Sequence, residues 1–132
     1  MLIEQAIMTK LLATTAITDL VGQRIYFTRA AQDTAKPYLV ITKISDIPHY
    51  CHDGPAGISD ARIQFSAFAE TYQAVKNLNA AIRTAFEGFT GLMGGSSGVY
   101  IGKCFKDLEA DFYEDDTRLF NSPVDYLITY NE

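Results

Sequence analysis

Residues 49–53, His49-Tyr50-Cys51-His52-Asp53, form the segment whose side chains are best suited to chemistry. Both histidines of the protein lie here, and imidazole and thiolate are common zinc ligands. The spacing is unfavourable, because neighbouring residues of a strand face opposite ways and no CxxC or HExxH motif accompanies them. We favour a polar hairpin loop that turns at Asp53-Gly54-Pro55, and expect no metal and no other cofactor. The alternative is a small metal-binding module that uses His49, Cys51 and His52.

Other segments resemble ligand sites only in composition. The run Gly94-Gly95-Ser96-Ser97-Gly98 lacks the lysine of a phosphate-binding loop and precedes a strand, so it is predicted to be a hairpin tip or linker. The acidic segment 107–116 lacks the alternating ligands and central glycine of a calcium loop, which favours a solvated surface that would also repel DNA. No serine or cysteine has the sequence context of a nucleophile. We therefore predict no catalytic residues and no enzyme activity.

The acidic segment contains two aromatic residues, Phe112 and Tyr113, which are unusual in a purely solvated loop. Either they fold back on the core or they form part of a protein contact, where aromatic residues are enriched. Together with Leu119 and Phe120 at the start of the last strand, they are our candidate interface residues.

Hydrophobic periodicity predicts the elements that hold these segments. Apolar residues alternate from Ala61 to Ala69, which indicates a half-buried strand. They then recur at three- and four-residue steps, which indicates a helix over about 71–87 with Thr71 as its cap and Gly88 at its end. An N-terminal helix is predicted over residues 2–13.

Further strands are predicted at 24–27, 38–44, 99–105 and 119–130, and an irregular excursion at 46–58. Pro123 indicates that the last strand is an edge strand or is bulged. Short connections between strands favour antiparallel pairing. The sequence thus predicts one α+β domain over residues 1–132, with a mainly antiparallel sheet and both the N-terminal helix and the longer helix packed on one face.

Composition and charge narrow the function. The chain has 132 residues with a net charge of −5 and no run of lysine or arginine, which disfavours a protein that grips nucleic acid through its phosphates. The N-terminus does not read as a signal peptide, and no apolar run approaches the length of a membrane span. We expect a cytoplasmically made protein with reduced thiols and no membrane partner.

The order and spacing of several segments resemble the tail-completion and tail-terminator proteins of long-tailed bacteriophages and prophages, which include head–tail joining proteins. The resemblance covers nearly the whole chain and is carried by these segments: VGQRIYF (21–27), KPYLVITKIS (36–45), DGPAG (53–57), ARIQFSAFAETYQAVKNLNAAIRTAF (61–86) and DLEADFYEDDTRLFNSPVDYLITY (107–130).

This resemblance implies a structural virion protein in the tail or neck, assembled in the cytoplasm of a bacterial host. It implies a ring of identical copies, for example a hexamer, that caps the tail tube at its head-proximal end. Tail tube protein and head–tail connector proteins would be its partners, and DNA would pass through the lumen without specific binding. Another small neck or connector component remains an alternative.

Overall fold

The computed structural model describes residues 2–30, 34–52 and 54–131. Within these ranges the protein has three helices and seven strands, and all the strands belong to one sheet. The elements are α1 (Ile3–Ala13), α2 (Thr15–Val21), β1 (Ile25–Phe27), β2 (Tyr38–Cys51), β3 (Gly54–Ala69), α3 (Tyr72–Phe86), β4 (Gly91–Met93), β5 (Val99–Glu109), β6 (Phe112–Glu114) and β7 (Leu119–Asn131).

The sheet has the strand order β1-β2-β3-β7-β5-β4, and β6 pairs with β7. Among the strands described, β1 with β2 is the one parallel pair, and the rest are antiparallel. This confirms the predicted α+β fold with a mainly antiparallel sheet and helices on one face.

The core lies between the helices and one face of the sheet. The predicted alternation in β3 is confirmed, since the inward residues from Ala61 to Ala69 are buried. Phe65 lies at the centre, with its ring 5.1 Å from that of Phe86 and 5.4 Å from that of Tyr126 between centroids. The residues between the inward ones, such as Arg62 and Gln64, face the side of the sheet opposite to the helices.

Helix α3 begins and ends close to the predicted bounds. The Thr71 hydroxyl accepts a hydrogen bond from the Ala74 amide at 3.2 Å, and Gly88 has φ +76°, which glycine adopts at little cost. Among the buried residues of α3, Asn79 is polar. It is buried, and its amide donates to the Ser122 hydroxyl at 2.9 Å and to the Ser122 carbonyl at 3.3 Å.

The N-terminal helix is also confirmed, although its apolar face is narrower than predicted. Ile3, Ala6, Ile7 and Leu11 are buried, whereas Leu2 and Leu12 remain exposed at 64% and 43%. At the other end of the sheet, the 94–98 segment joins β4 to β5, which confirms the predicted hairpin tip.

The predicted excursion at 46–58 is wrong for the residues that the structure describes there. Strands β2 and β3 form one long hairpin that pairs from Tyr38 with Phe68 to Cys51 with Gly54. The hairpin is irregular between Pro48 and Tyr50, within the range that suggested a loop, and also just before it, between Lys43 and Ser45. Of the predicted Asp53-Gly54-Pro55 turn, Asp53 lies outside the described residues, as do residues 31–33 of the connection between β1 and β2.

The prediction that Pro123 marks an edge strand or a bulge is also wrong. Strand β7 lies between β3 and β5, and its ladder with β3 runs without a register shift from Ile58–Asn131 to Ala69–Phe120. The Pro123 carbonyl accepts from the Ala110 amide at 3.1 Å, and the backbone N of a strand residue points to the same side as its carbonyl. The missing donor therefore falls at the junction between β5 and β6, where no regular ladder runs.

The outer edge of β5 is closed by the end of α3. The Gly88 amide donates to the Cys104 carbonyl at 2.8 Å, and the Lys106 amide donates to the Glu87 carboxylate at 2.8 Å. These two contacts occupy backbone groups that an exposed edge would otherwise offer to another strand.

Candidate interaction surfaces

The 49–52 segment lies at the tip of the β2–β3 hairpin, and its side chains have partners other than a metal. His49 Nε2 lies 2.7 Å from Asp60 Oδ2, and the Cys51 thiol contacts the Gly54 carbonyl at 3.3 Å. Within the described ranges, no three His, Cys, Asp or Glu side chains converge in a way that could hold a metal ion. The geometry gives the metal-binding alternative no support.

The two cysteines are free thiols in different environments. Cys51 is exposed, whereas Cys104 is buried against the helices. Burial raises the pKa of the Cys104 thiol to about 12, because a thiolate there would lose its hydration. Cys104 is therefore a core residue and not a reactive nucleophile.

The acidic segment is anchored to α3 through Asp111. Its carboxylate forms an ion pair with Lys76 at 2.6 Å and accepts hydrogen bonds from the Ser122 hydroxyl at 2.8 Å and the Tyr72 hydroxyl at 3.0 Å. These contacts, led by that of Lys76, lower the pKa of Asp111. Ser122 also contacts Asn79, so one polar cluster joins helix α3, strand β7 and the start of β6.

The candidate interface residues lie just beyond this anchor. Phe112 and Tyr113 in β6 are 57% and 50% exposed, so they do not fold into the core. The Tyr113 ring lies 4.8 Å from the ring of Phe120, which packs partly against the core. Leu119 is only 4% exposed and pairs with Glu114 in the β6–β7 ladder, one residue before Phe120.

The turn between β6 and β7 projects acidic side chains into solvent. Glu114, Asp115 and Asp116 are exposed, and no ion pair reaches them from any residue that the structure describes. Arg118 has φ +58°, and its amide donates to the Glu114 carbonyl at 2.8 Å, which closes the turn. We call β6 and this turn, residues 112–116, the acidic edge.

The first strand, β1, is the edge strand next to β2, and basic residues flank it. Arg24 Nε donates to the Pro37 carbonyl at 2.9 Å, while Arg29 and Lys36 are exposed. Phe27 in β1 is 44% exposed. We call Arg24 to Arg29 together with Lys36 the basic edge. Sequence reasoning missed it, because these residues are scattered in the sequence and only the parallel pairing of β1 with β2 places Arg24 beside the start of β2.

A polar network covers the face of the sheet opposite to the helices. Arg62 forms ion pairs with Asp107 at 2.7 Å and Asp125 at 3.2 Å, and the Gln64 amide donates to Asp125 at 3.2 Å. These bonds raise the pKa of Arg62, with Asp107 as the largest cause. The charges of Arg62, Asp107 and Asp125 are thus paired across β3, β5 and β7.

A small α+β protein with two charged edges and a long projecting hairpin is suited to contacts with other proteins. The family model described as "Tail completion protein gp17" matches residues 5–131. The chain belongs to this family, and its role is structural, in the assembly of a phage tail.

A solved structure supports the fold. A chain of the "Virion of native gene transfer agent (GTA) particle" is similar to this protein with a TM-score of 0.82 and 13% sequence identity. The similarity covers 98% of this chain and 95% of that one. No curated protein sequence matches the chain. In the part of the chain that is described, no helix has the length and apolar character needed to cross a membrane.

Proposed function

We propose that the protein closes the head-proximal end of the tail tube as a ring of copies and helps to join the tail to the head. The observation that carries this proposal is the tail-completion family match over residues 5–131. The protein acts by contact and not by catalysis. It is assembled in the cytoplasm of the bacterial host and is then located in the tail or neck of the particle.

The projecting hairpin supports a role in reaching a partner. Strand β7 pairs with β3 only as far as Ile58, so the hairpin tip extends beyond its neighbouring strand. Tyr50 at this tip is 72% exposed, and Ile47, three residues before it in β2, is 64% exposed. Apolar side chains on a projecting strand pair are suited to a pocket or sheet edge of the tube protein or of a connector protein.

The net charge supports a conduit for DNA. A ring that conducts DNA works best when its wall does not bind phosphate, and the chain carries a net charge of −5. DNA therefore passes the ring without specific binding.

The candidate interface residues support contact between proteins. Phe112 and Tyr113 are exposed aromatic residues, Phe120 packs beside Tyr113, and Leu119 is a buried residue directly before Phe120 in β7. Exposed aromatic side chains that a rigid sheet supports are typical of interface centres. We propose that these four residues belong to a contact with another subunit.

Deletion of the gene tests the proposed function. Electron microscopy of the lysate is expected to show over-long or headless tails, and the wild-type gene supplied in trans is expected to restore joined particles. Tails of normal length joined to heads in the deletion strain would refute the proposal.

A double variant of the hairpin, compared with a control variant on α1, tests the role of the projecting hairpin. Ile47→Ser with Tyr50→Ser is expected to leave the thermal unfolding midpoint nearly unchanged, since both side chains are exposed, and to reduce the yield of head-joined tails. Leu12→Ser on α1, at a residue that is 43% exposed, is the matched control and is expected to join normally. Equal yields for the tip variant and the control would exclude the tip as a contact element.

The position of the protein in the particle distinguishes a terminator from another neck component. A label on the chain is expected at the last ring of the tube. A label that lies only beyond the tube, among the connector rings, would favour the alternative neck component. The mass of the purified protein, by light scattering over a concentration series, is expected to include a closed multiple such as a hexamer.

A further inference from the structure

The acidic edge and the basic edge lie on different sides of one end of the sheet. Cross-strand pairs place Tyr38 beside Phe68, Phe68 beside Asn121, and Asn121 beside Phe112. This row runs from β2 to β6, and β1 pairs with β2 next to Tyr38, from Leu39 onward. In this row strands β3 and β7 lie between β2 and β6, and no ion pair among the described residues joins the two edges.

The acidic edge has charges that its own chain leaves unneutralised. Its turn contains Glu114, Asp115 and Asp116, and the neighbouring base Arg118 offsets only one of these three charges. Beyond the hydrogen bond from Thr117 to Glu114 at 3.0 Å, the described residues supply no partner for these carboxylates. Phe112 adds an exposed apolar surface next to them.

The basic edge has the opposite charge and a similar apolar component. Arg24, Arg29 and Lys36 bring three positive charges, and Phe27 exposes an aromatic ring between them. No acidic side chain within the described ranges forms an ion pair with any of the three. Asp33, in the same connection, lies outside those ranges.

We propose that the acidic edge of one copy docks on the basic edge of a second copy of this chain. The occupant follows from complementary charge, with an exposed aromatic residue on each side to supply the apolar centre. This inference rests on the proposed function and specifies the contact by which the ring forms. Because each copy uses two different edges, a bound pair still has one free edge of each kind, and the contact repeats until the ring closes.

Charge reversal of each edge, followed by mixing, tests the contact. The basic-edge variant is R29E with K36E, and the acidic-edge variant is D115K with D116K. Either variant alone places like charges across the contact and is expected to lower the yield of head-joined particles by about tenfold or more. Supplied together in the deletion strain, the two variants have complementary edges again, and joined particles are expected to return as rings of alternating copies.

Controls keep the folding of the variants separate from their assembly. Asp19→Lys on α2 and Arg83→Glu on α3 reverse exposed charges away from both edges and are expected to assemble normally. All four proteins are expected to unfold within a few degrees of wild type, because the reversed side chains are exposed. Wild-type yields from either edge variant alone, or no recovery on mixing two folded variants, would overturn the proposed contact.

A chemical cross-link gives a readout that does not depend on tail assembly. A carbodiimide joins a lysine to a carboxylate only where the two touch, so a mixture of isotopically light and heavy protein reports contacts between copies. Peptides that link Lys36 of one isotope to residues 114–116 of the other are expected. Their absence at every protein concentration would overturn the contact, whereas their presence with normal tails in the deletion strain would refute only the proposed function.

Discussion

Replacement of Asn79 gives the sharpest test of how the acidic edge is held. Its buried amide donates to both the carbonyl and the hydroxyl of Ser122, and the Ser122 hydroxyl in turn contacts Asp111. Asn79→Ala removes both donated bonds and leaves the Ser122 carbonyl without this donor. An unpaired buried acceptor costs about 1–3 kcal/mol. The unpartnered Asn79 Oδ1 is removed as well, so we expect a net loss in unfolding free energy of about 1–2 kcal/mol.

Asn79→Asp gives a second test, because it replaces the side-chain amide, which donates hydrogen bonds, with a carboxylate of similar shape, which only accepts them. A carboxylate oxygen then faces the Ser122 carbonyl, and the buried charge has no cation among the contacts that Asn79 makes. We expect this variant to be less stable than Asn79→Ala, with a loss of about 2–4 kcal/mol.

Thermal and urea unfolding followed by circular dichroism measure both changes. A loss of 1 kcal/mol corresponds to a fall of about 3–4 °C in the unfolding midpoint for a chain of this size. Asn77→Ala is the matched control on the same helix, since Asn77 is exposed and accepts only from Gln73, at 2.9 Å; its effect should stay within about 0.5 kcal/mol. Equal stability of the Asn77 and Asn79 alanine variants, or an aspartate variant at least as stable as Asn79→Ala, would refute the reasoning.

Three further outcomes are expected. Contacts, led by that of Lys76, lower the pKa of Asp111, so the stability that its carboxylate contributes is present above the unfolded pKa of about 3.9 and is lost as the pH falls through the folded pKa. The difference in unfolding free energy between wild type and Asp111→Asn should therefore shrink below about pH 4, and a constant difference would contradict this. Gly98→Ala places a Cβ 2.0 Å from the Met93 carbonyl oxygen and should cost about 1–3 kcal/mol in urea unfolding, whereas Ser96→Ala in the same tip should be neutral. Tail joining and bound metal, measured by complementation and elemental analysis, should not change on triple alanine replacement of His49, Cys51 and His52.

Local patterns predicted the parts of the fold that local interactions determine. Helix α3 and the end of β3 at Ala69 were predicted within a few residues, because the change in hydrophobic period at Thr71 coincides with a hydroxyl cap. The start of β3 at Gly54 was not predicted, since residues 54–58 were assigned to the irregular excursion. Helical spacing places Asn79 on the buried face of α3, four residues after Val75 and three before Ile82. The sequence does not show that Ser122, from a distant strand, supplies the hydrogen-bond partner of this buried amide.

Proline and glycine misled the strand predictions for a physical reason. Pro48 and Gly57 read as loop residues, yet they lie in a hairpin that accommodates them through register irregularities and positive φ. Pro123 read as an edge signal, yet its missing donor points at the break between β5 and β6. The cost of a proline in a sheet depends on which neighbour its nitrogen faces, and that neighbour is set by topology.

The interface candidates were chosen from composition alone. Phe112 and Tyr113 stood out as aromatic residues within an acidic run, and the structure leaves both of them exposed. The basic edge had no comparable signal, because Arg24, Arg29 and Lys36 are scattered in the sequence and β1 joins the sheet through a parallel pairing with β2. A parallel pair needs a crossover connection, and local sequence does not specify its partner.

Glu87 and Gly88 close the outer edge of β5, and this closure affects how copies behave before they are assembled. Copies of a structural virion protein are free before they are assembled into a particle, so unassembled copies meet one another. An open strand edge would let such copies stack into fibres without any need for the tube. By occupying the Cys104 carbonyl and the Lys106 amide within the same chain, the end of α3 makes premature stacking at this edge unfavourable and leaves association to contacts of the side chains.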